Sequence, residues 1–149
     1  MTHVRQTLRA AVVTACTGLA ATGSRVYASR VYPLQEAELP CLLVTTPAES
    51  SDPQDIGLPG IVSREVTVEV AGIARATSAL ADTLDAIAEQ VETALGAGVS
   101  VAGQSIELSY GGMVADLAAD IDQPTGRIAL RFAATLYTQS NAPGTLVSA

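Results

Sequence analysis

Residues 61–73, IVSREVTVEVAGI, alternate apolar and polar side chains with a period of two. Successive side chains of a strand point to opposite faces. Val62, Val66, Val68 and Val70 therefore share one face, and Ser63, Glu65, Thr67 and Glu69 share the other. A helix would scatter those valines around its axis. The run demands a sheet with one covered face and one polar face.

The cover comes from two helical patterns. In LADTLDAIAEQVETAL, Leu80, Leu84, Ile87, Val91 and Leu95 recur at spacings of three and four, which predicts a helix over 80–95. Asp82, Asp85, Glu89 and Glu92 form an acidic stripe on its far side. Thr77 or Ser78 is expected to cap its start, and Gly96 its end. Nearer the N-terminus, Val4, Leu8, Ala11, Val12, Ala15 and Leu19 make a second stripe, with Gly23 placed to end it.

The remaining elements read as strands. RVYPLQEAELPCLLV sets two strand-like runs around a polar break, with strands expected at 25–34 and 39–46, ended by Pro33 and Pro47. Residues 48–60, AESSDPQDIGLPG, carry two Pro, two Gly and two Asp and predict a long loop. Further strands are expected at 105–114 and 127–138, joined through the turn ADIDQPTG, with a loose tail over 139–149. Helix, strands, helix, strands in that order predicts one α+β domain over 1–149. It is a two-layer sandwich: a mostly antiparallel sheet with both helices packed on one face.

Charge narrows the function. Fifteen acidic residues face eight basic ones, every base is Arg, and the net charge is −7. Sequence-independent grip on nucleic acid needs a surplus of cations, so the charge argues against that class. The balance suits solubility, a basic partner, or a surface past which DNA slides without sticking. Arg without Lys suits interface pairing, where the planar fork matters. The core must be built mainly from Ala, Val, Leu and Ile, since the chain has one Phe and no Trp. Many small contacts and few large anchors favour further burial against copies of itself.

A search for chemistry finds little. No phosphate-binding Gly-rich loop with its Lys is present, and no Ser lies in a nucleophile elbow. His3 is the one histidine, which disfavours a catalytic triad or a histidine metal site. The acidic stripe reads as a solvated helix face rather than a cation site. Cys16 and Cys41 sit in apolar runs and read as buried free thiols. Arg5 and Arg9 followed by AAVVTACTGLAATGS imitate a signal peptide, but Thr14, Cys16 and Thr17 interrupt the apolar core and the spacing is helical. No run approaches the length of a membrane span. The chain is expected not to be an enzyme and to bind no cofactor or metal.

The order of elements carries a resemblance. An N-terminal helix precedes RVYPL and ELPCLLV, with an acid soon afterwards in PAES. A Pro/Gly-rich loop leads into SREVTVEV, then the helix LADTLDAIAEQVETAL, the strand IALRFAATLYTQ and a Pro-containing tail. Over about Val4 to Pro143 this resembles the tail terminator proteins of long-tailed bacteriophages, the minor tail protein U family. The resemblance implies a subunit of a homo-oligomeric ring, a hexamer. Such a ring caps the tail tube, ends polymerisation of the tube protein and offers a joining face to the head connector or neck. It also implies a virion location in the tail or neck, assembly in the host cytoplasm, and DNA passing through the lumen without specific binding. No covalent chemistry is implied.

A head-to-tail ring needs two different complementary patches. Arg64, Glu65, Glu69, Arg127 and Arg131 are the candidates for the subunit interface. Asp52, Asp55 and Ile56 are the candidates for loop contacts with a neighbour or the tube. Two other readings stay open: another neck or tail-completion protein of a phage-like particle, and a secreted small binding module.

Overall fold

The alternating run lies at the centre of the sheet. The computed structural model describes residues 2–28, 40–75, 79–118 and 125–147. In chain order these form α1 (Val4–Cys16), β1 (Val26–Ala28), β2 (Cys41–Pro53), β3 (Ile61–Arg75), α2 (Leu80–Leu95), β4 (Val99–Val101), β5 (Gln104–Ile106), β6 (Ser109–Ala118), β7 (Thr125–Gln139) and β8 (Ala142–Leu146). The main sheet has the order β1-β2-β3-β7-β6, with β8 paired to the end of β7, while β4 and β5 form a separate hairpin. β1 runs parallel to β2, and the other pairings are antiparallel.

β3 and β7 pair along their whole length, from Ile61 opposite Gln139 to Arg75 opposite Thr125. Their helix-facing residues Val66, Val68, Val70, Ile128, Leu130 and Phe132 are buried. Above them lie Val4, Leu8, Val12 and Cys16 of α1 and Leu84, Ile87, Val91 and Leu95 of α2, all in one core. The α+β sandwich with both helices on one face is thus the observed architecture. Cys16 and Cys41 are both buried, and burial pushes the Cys16 thiol up to about 11.

Several element ends differ from expectation, each for a local reason. Pro47 does not end β2. It falls where the register against β3 slips between Thr45 and Ala48, an interruption at which a missing donor is tolerated. The strand continues to Pro53, so residues 48–53 are paired and the expected long loop contracts to 54–60. Much of the expected loose tail is also a strand, since β8 pairs with Thr138 and Gln139. α1 stops at Cys16 rather than near Leu19, and His3 begins it, its Nδ1 accepting the Arg5 N–H at 3.2 Å. Thr77 and Ser78 lie outside the described residues, and α2 starts behind Ala79 without a side-chain cap. At its other end Gly96 is still helical, and the left-handed exit comes at Gly98, where φ is +81°. Residues 29–39, most of the first strand and its polar break, lie outside the described residues.

One glycine sets the distance between the layers. Gly72 faces α2, and a Cβ there would stand 2.8 Å from Ile87 Cγ2. Gly72→Ala is therefore expected to force α2 off the sheet and cost about 1–3 kcal/mol. The measurement is a lower urea midpoint with an unchanged slope. An unchanged midpoint would show that the layers are not in close contact at this point.

Candidate assembly interface

The five residues singled out as a subunit interface do not share a face. Glu65 and Glu69 have the parity of Ser63 and Thr67, and they stand on the side of the sheet away from the helices. Glu69 lies directly across from Arg131 in the β3–β7 ladder. Its Oε1 accepts from Arg127 Nη2 at 2.9 Å, and its Oε2 lies 3.6 Å from Arg131 Nε. One carboxylate is thus shared by two guanidinium groups. Glu69 is 13% exposed, against 49% for Arg127 and 60% for Arg131. Both arginines keep spare N–H donors toward the outside. Pairs this exposed contribute about 0–1 kcal/mol to stability. Glu65, opposite Thr135, is exposed.

Arg64 is on the other side. It has the parity of Val66, so the pleat turns it toward the helices. Its Nη1 donates to Glu49 Oε2 at 2.9 Å, and its Nε donates to the buried Thr138 hydroxyl at 2.9 Å. Glu49 also accepts from Arg5 Nη1 of α1 at 2.8 Å and from the Ser51 hydroxyl at 2.6 Å. This cluster ties the start of α1 to β2, β3 and β7. Arg5 and Glu49 were not among the sequence candidates. Their pairing depends on β2 reaching past Pro47, which propensity alone argues against.

The loop candidates also separate. Asp52 lies within β2, opposite Ser63. Asp55 is exposed but folds back onto its own hairpin, where its Oδ1 accepts the Ile61 N–H at 3.1 Å. The hairpin base is further held by Gln54 N–H to the Ile61 carbonyl at 2.8 Å and Ser140 N–H to the Gly60 carbonyl at 2.8 Å. A Cβ on Gly60 would meet the Asp55 carboxylate and stand 2.6 Å from the Gly57 carbonyl oxygen. Ile56 and Leu58 are fully exposed at the tip. Leu58 is a contact candidate that loop composition did not single out.

Among the described residues, no group of three or more His, Cys, Asp or Glu side chains is placed to hold a metal ion. No described helix is long and apolar enough to cross a membrane.

No protein-family model matches the chain, and no curated protein is significantly similar to it. A solved structure is. The chain resembles one from the virion of a native gene transfer agent particle, at 25% identity and a TM-score of 0.50, over 91% of this chain and 92% of the other. The likeness supports a phage-related structural protein that assembles with other proteins in a virion.

The Glu49 cluster carries a pH prediction. Burial raises the Glu49 pKa, but Ser51, Arg5 and Arg64 together outweigh it and hold the carboxyl below its usual range. The His3 pKa is lowered by burial and by Arg5 and Arg64, with Glu49 opposing. Both groups take up protons more readily when unfolded, so both contribute stability that is lost on acidification. The loss begins below about pH 6.5 through His3 and continues below about pH 4.5 through Glu49. Glu49→Gln is expected to cost about 1–3 kcal/mol at neutral pH and to flatten the lower part of that acid limb. Urea midpoints measured across this range check it, and an acid limb identical to wild type would remove Glu49 as its source.

Proposed function

We propose that the chain is a ring-forming tail terminator of a phage-like particle. The observation that carries this reading is the whole-length likeness to a virion chain of a gene transfer agent. It is supported by an order of elements that matches the tail terminator resemblance from Val4 to Pro143. The ring caps the tail tube, ends its polymerisation and presents a face to the head connector, without covalent chemistry. The half-exposed Arg127 and Arg131, with Glu65 and Glu69, serve the contact between subunits, where their spare donors meet acceptors of a neighbour. Ile56 and Leu58 seat the hairpin on the neighbour or the tube. A net charge of −7 lets DNA pass the lumen with little adhesion.

Native mass spectrometry and a tube-polymerisation assay test the reading. A discrete ring, or conversion to one on adding tube protein, is expected, with tubes that stop growing once capped. A strict monomer that ignores tube ends would refute it. Arg127→Gln with Arg131→Gln, which removes both charges without setting new carboxylates against Glu69, is expected to shift the population to monomer with the urea midpoint lowered by no more than about 1 kcal/mol of stability. Ile56→Asp with Leu58→Asp is expected to abolish capping with the fold intact. Wild-type assembly and capping in all of these variants would discard both contact assignments.

A further inference from the structure

The helix layer is too narrow for its sheet. A helix with its side chains is about 10 Å across and covers roughly two strands spaced about 4.8 Å apart. Two helices therefore cover four of the five strands in the order β1-β2-β3-β7-β6. α2 packs on β3 and β7, and the helix side of β6 is left open. There Tyr110 and Met113 are half exposed, although both face the side on which the core lies. They floor a cleft whose far wall is α2, and the wall carries Asp85, Glu89 and Glu92. These three recur at four and then three residues, a single row along one side of the helix. Among the described residues none of them has a cationic partner. The Tyr110 hydroxyl is held above its usual pKa by desolvation and by the charge of Glu92.

We propose that this cleft receives an amphipathic helix of a different protein, laid beside α2 and over β6 as a third member of the helix layer. Its apolar stripe rests on Tyr110 and Met113, and a row of Arg or Lys at helical spacing meets the α2 carboxylates. Charge selects this occupant. A second copy supplies no basic helix among the described residues, because α2 is acidic and the α1 arginines are engaged, Arg5 with Glu49 and Arg9 with the Thr46 hydroxyl. Two copies facing each other through this cleft would oppose acidic rows. The surface lies on the helix side, away from Glu69, Arg127 and Arg131, so it stands whether or not the chain forms a ring.

The chain has two methionines, Met1 and Met113, so methyl-labelled methionine gives a direct NMR reporter of the cleft. The probe is an amidated helical peptide of about 15 residues, with Leu on one stripe and Arg flanking it at helical spacing. A control peptide carries Glu in place of Arg. The Arg peptide is expected to shift the Met113 methyl saturably, with binding that weakens as salt rises. Glu89→Gln with Glu92→Gln is expected to weaken it about three- to tenfold, with the urea midpoint confirming the fold. The proposal is overturned by an unmoved Met113 methyl, by equal binding of the Glu peptide, or by undiminished binding to the double variant.

Discussion

The structure depends on the β3–β7 ladder. Its register places Val66, Val68 and Val70 beside Ala134, Phe132 and Leu130 on the helix side, and Glu69 beside Arg131 on the other. A slip of one residue would invert both faces together, turning valines to water and charges into the core. Everything else is hung on this pair. β2 and β6 extend it to either side, and α2 closes on it where Gly72 leaves room for Ile87. The hairpin at 54–60 is the direct continuation of β3, and it is braced by Ser140 just beyond the end of β7. The ladder therefore determines where the exposed tip stands relative to the outer arginines.

Much of this was legible in the residues. Period-two alternation in β3 and β7 and period-3.6 stripes in both helices each name a buried face, and the two kinds of face can only meet as a sandwich. Legibility failed where local grammar was overruled by pairing. Pro47 is a strand breaker by propensity, yet a bulge absorbs it once Ala48 to Pro53 can pair with β3. Composition made 48–60 one loop, whereas antiparallel pairing needed only 54–60 to turn. β8 passed unseen because its pairing partner is the far end of β7, which no local pattern reports.

The candidate site shows the same division. The separation of Arg64 from Glu65 and Glu69 was already present in parity, because 64 is in phase with the valines. Grouping by charge obscured what grouping by phase would have told. Partners across space were not legible at all: Arg5 and Glu49 lie 44 residues apart. Asp55 illustrates a further limit. Its identity suggested an outward contact, while the backbone N–H of Ile61 draws its carboxylate back onto its own hairpin.

The two ion clusters differ in a way that bears on assembly. On the helix side, Glu49 meets Arg64, Arg5 and Ser51 with both Glu49 and Arg64 largely removed from water, and Arg64, the more buried of the two arginines, also uses Nε on Thr138. On the outer face one carboxylate serves two half-exposed guanidiniums, and neither arginine has all its donors satisfied among the described residues. The pair of Glu49 with Arg64 is closed to solvent and acts within the fold. The open cluster contributes little to the fold and leaves its cations accessible. Partial neutralisation by Glu69 also limits the cost of holding Arg127 and Arg131 close together while the surface is still free. The two clusters thus divide by face: the helix side removes its central ion pair from water, and the outer face leaves its arginines half exposed.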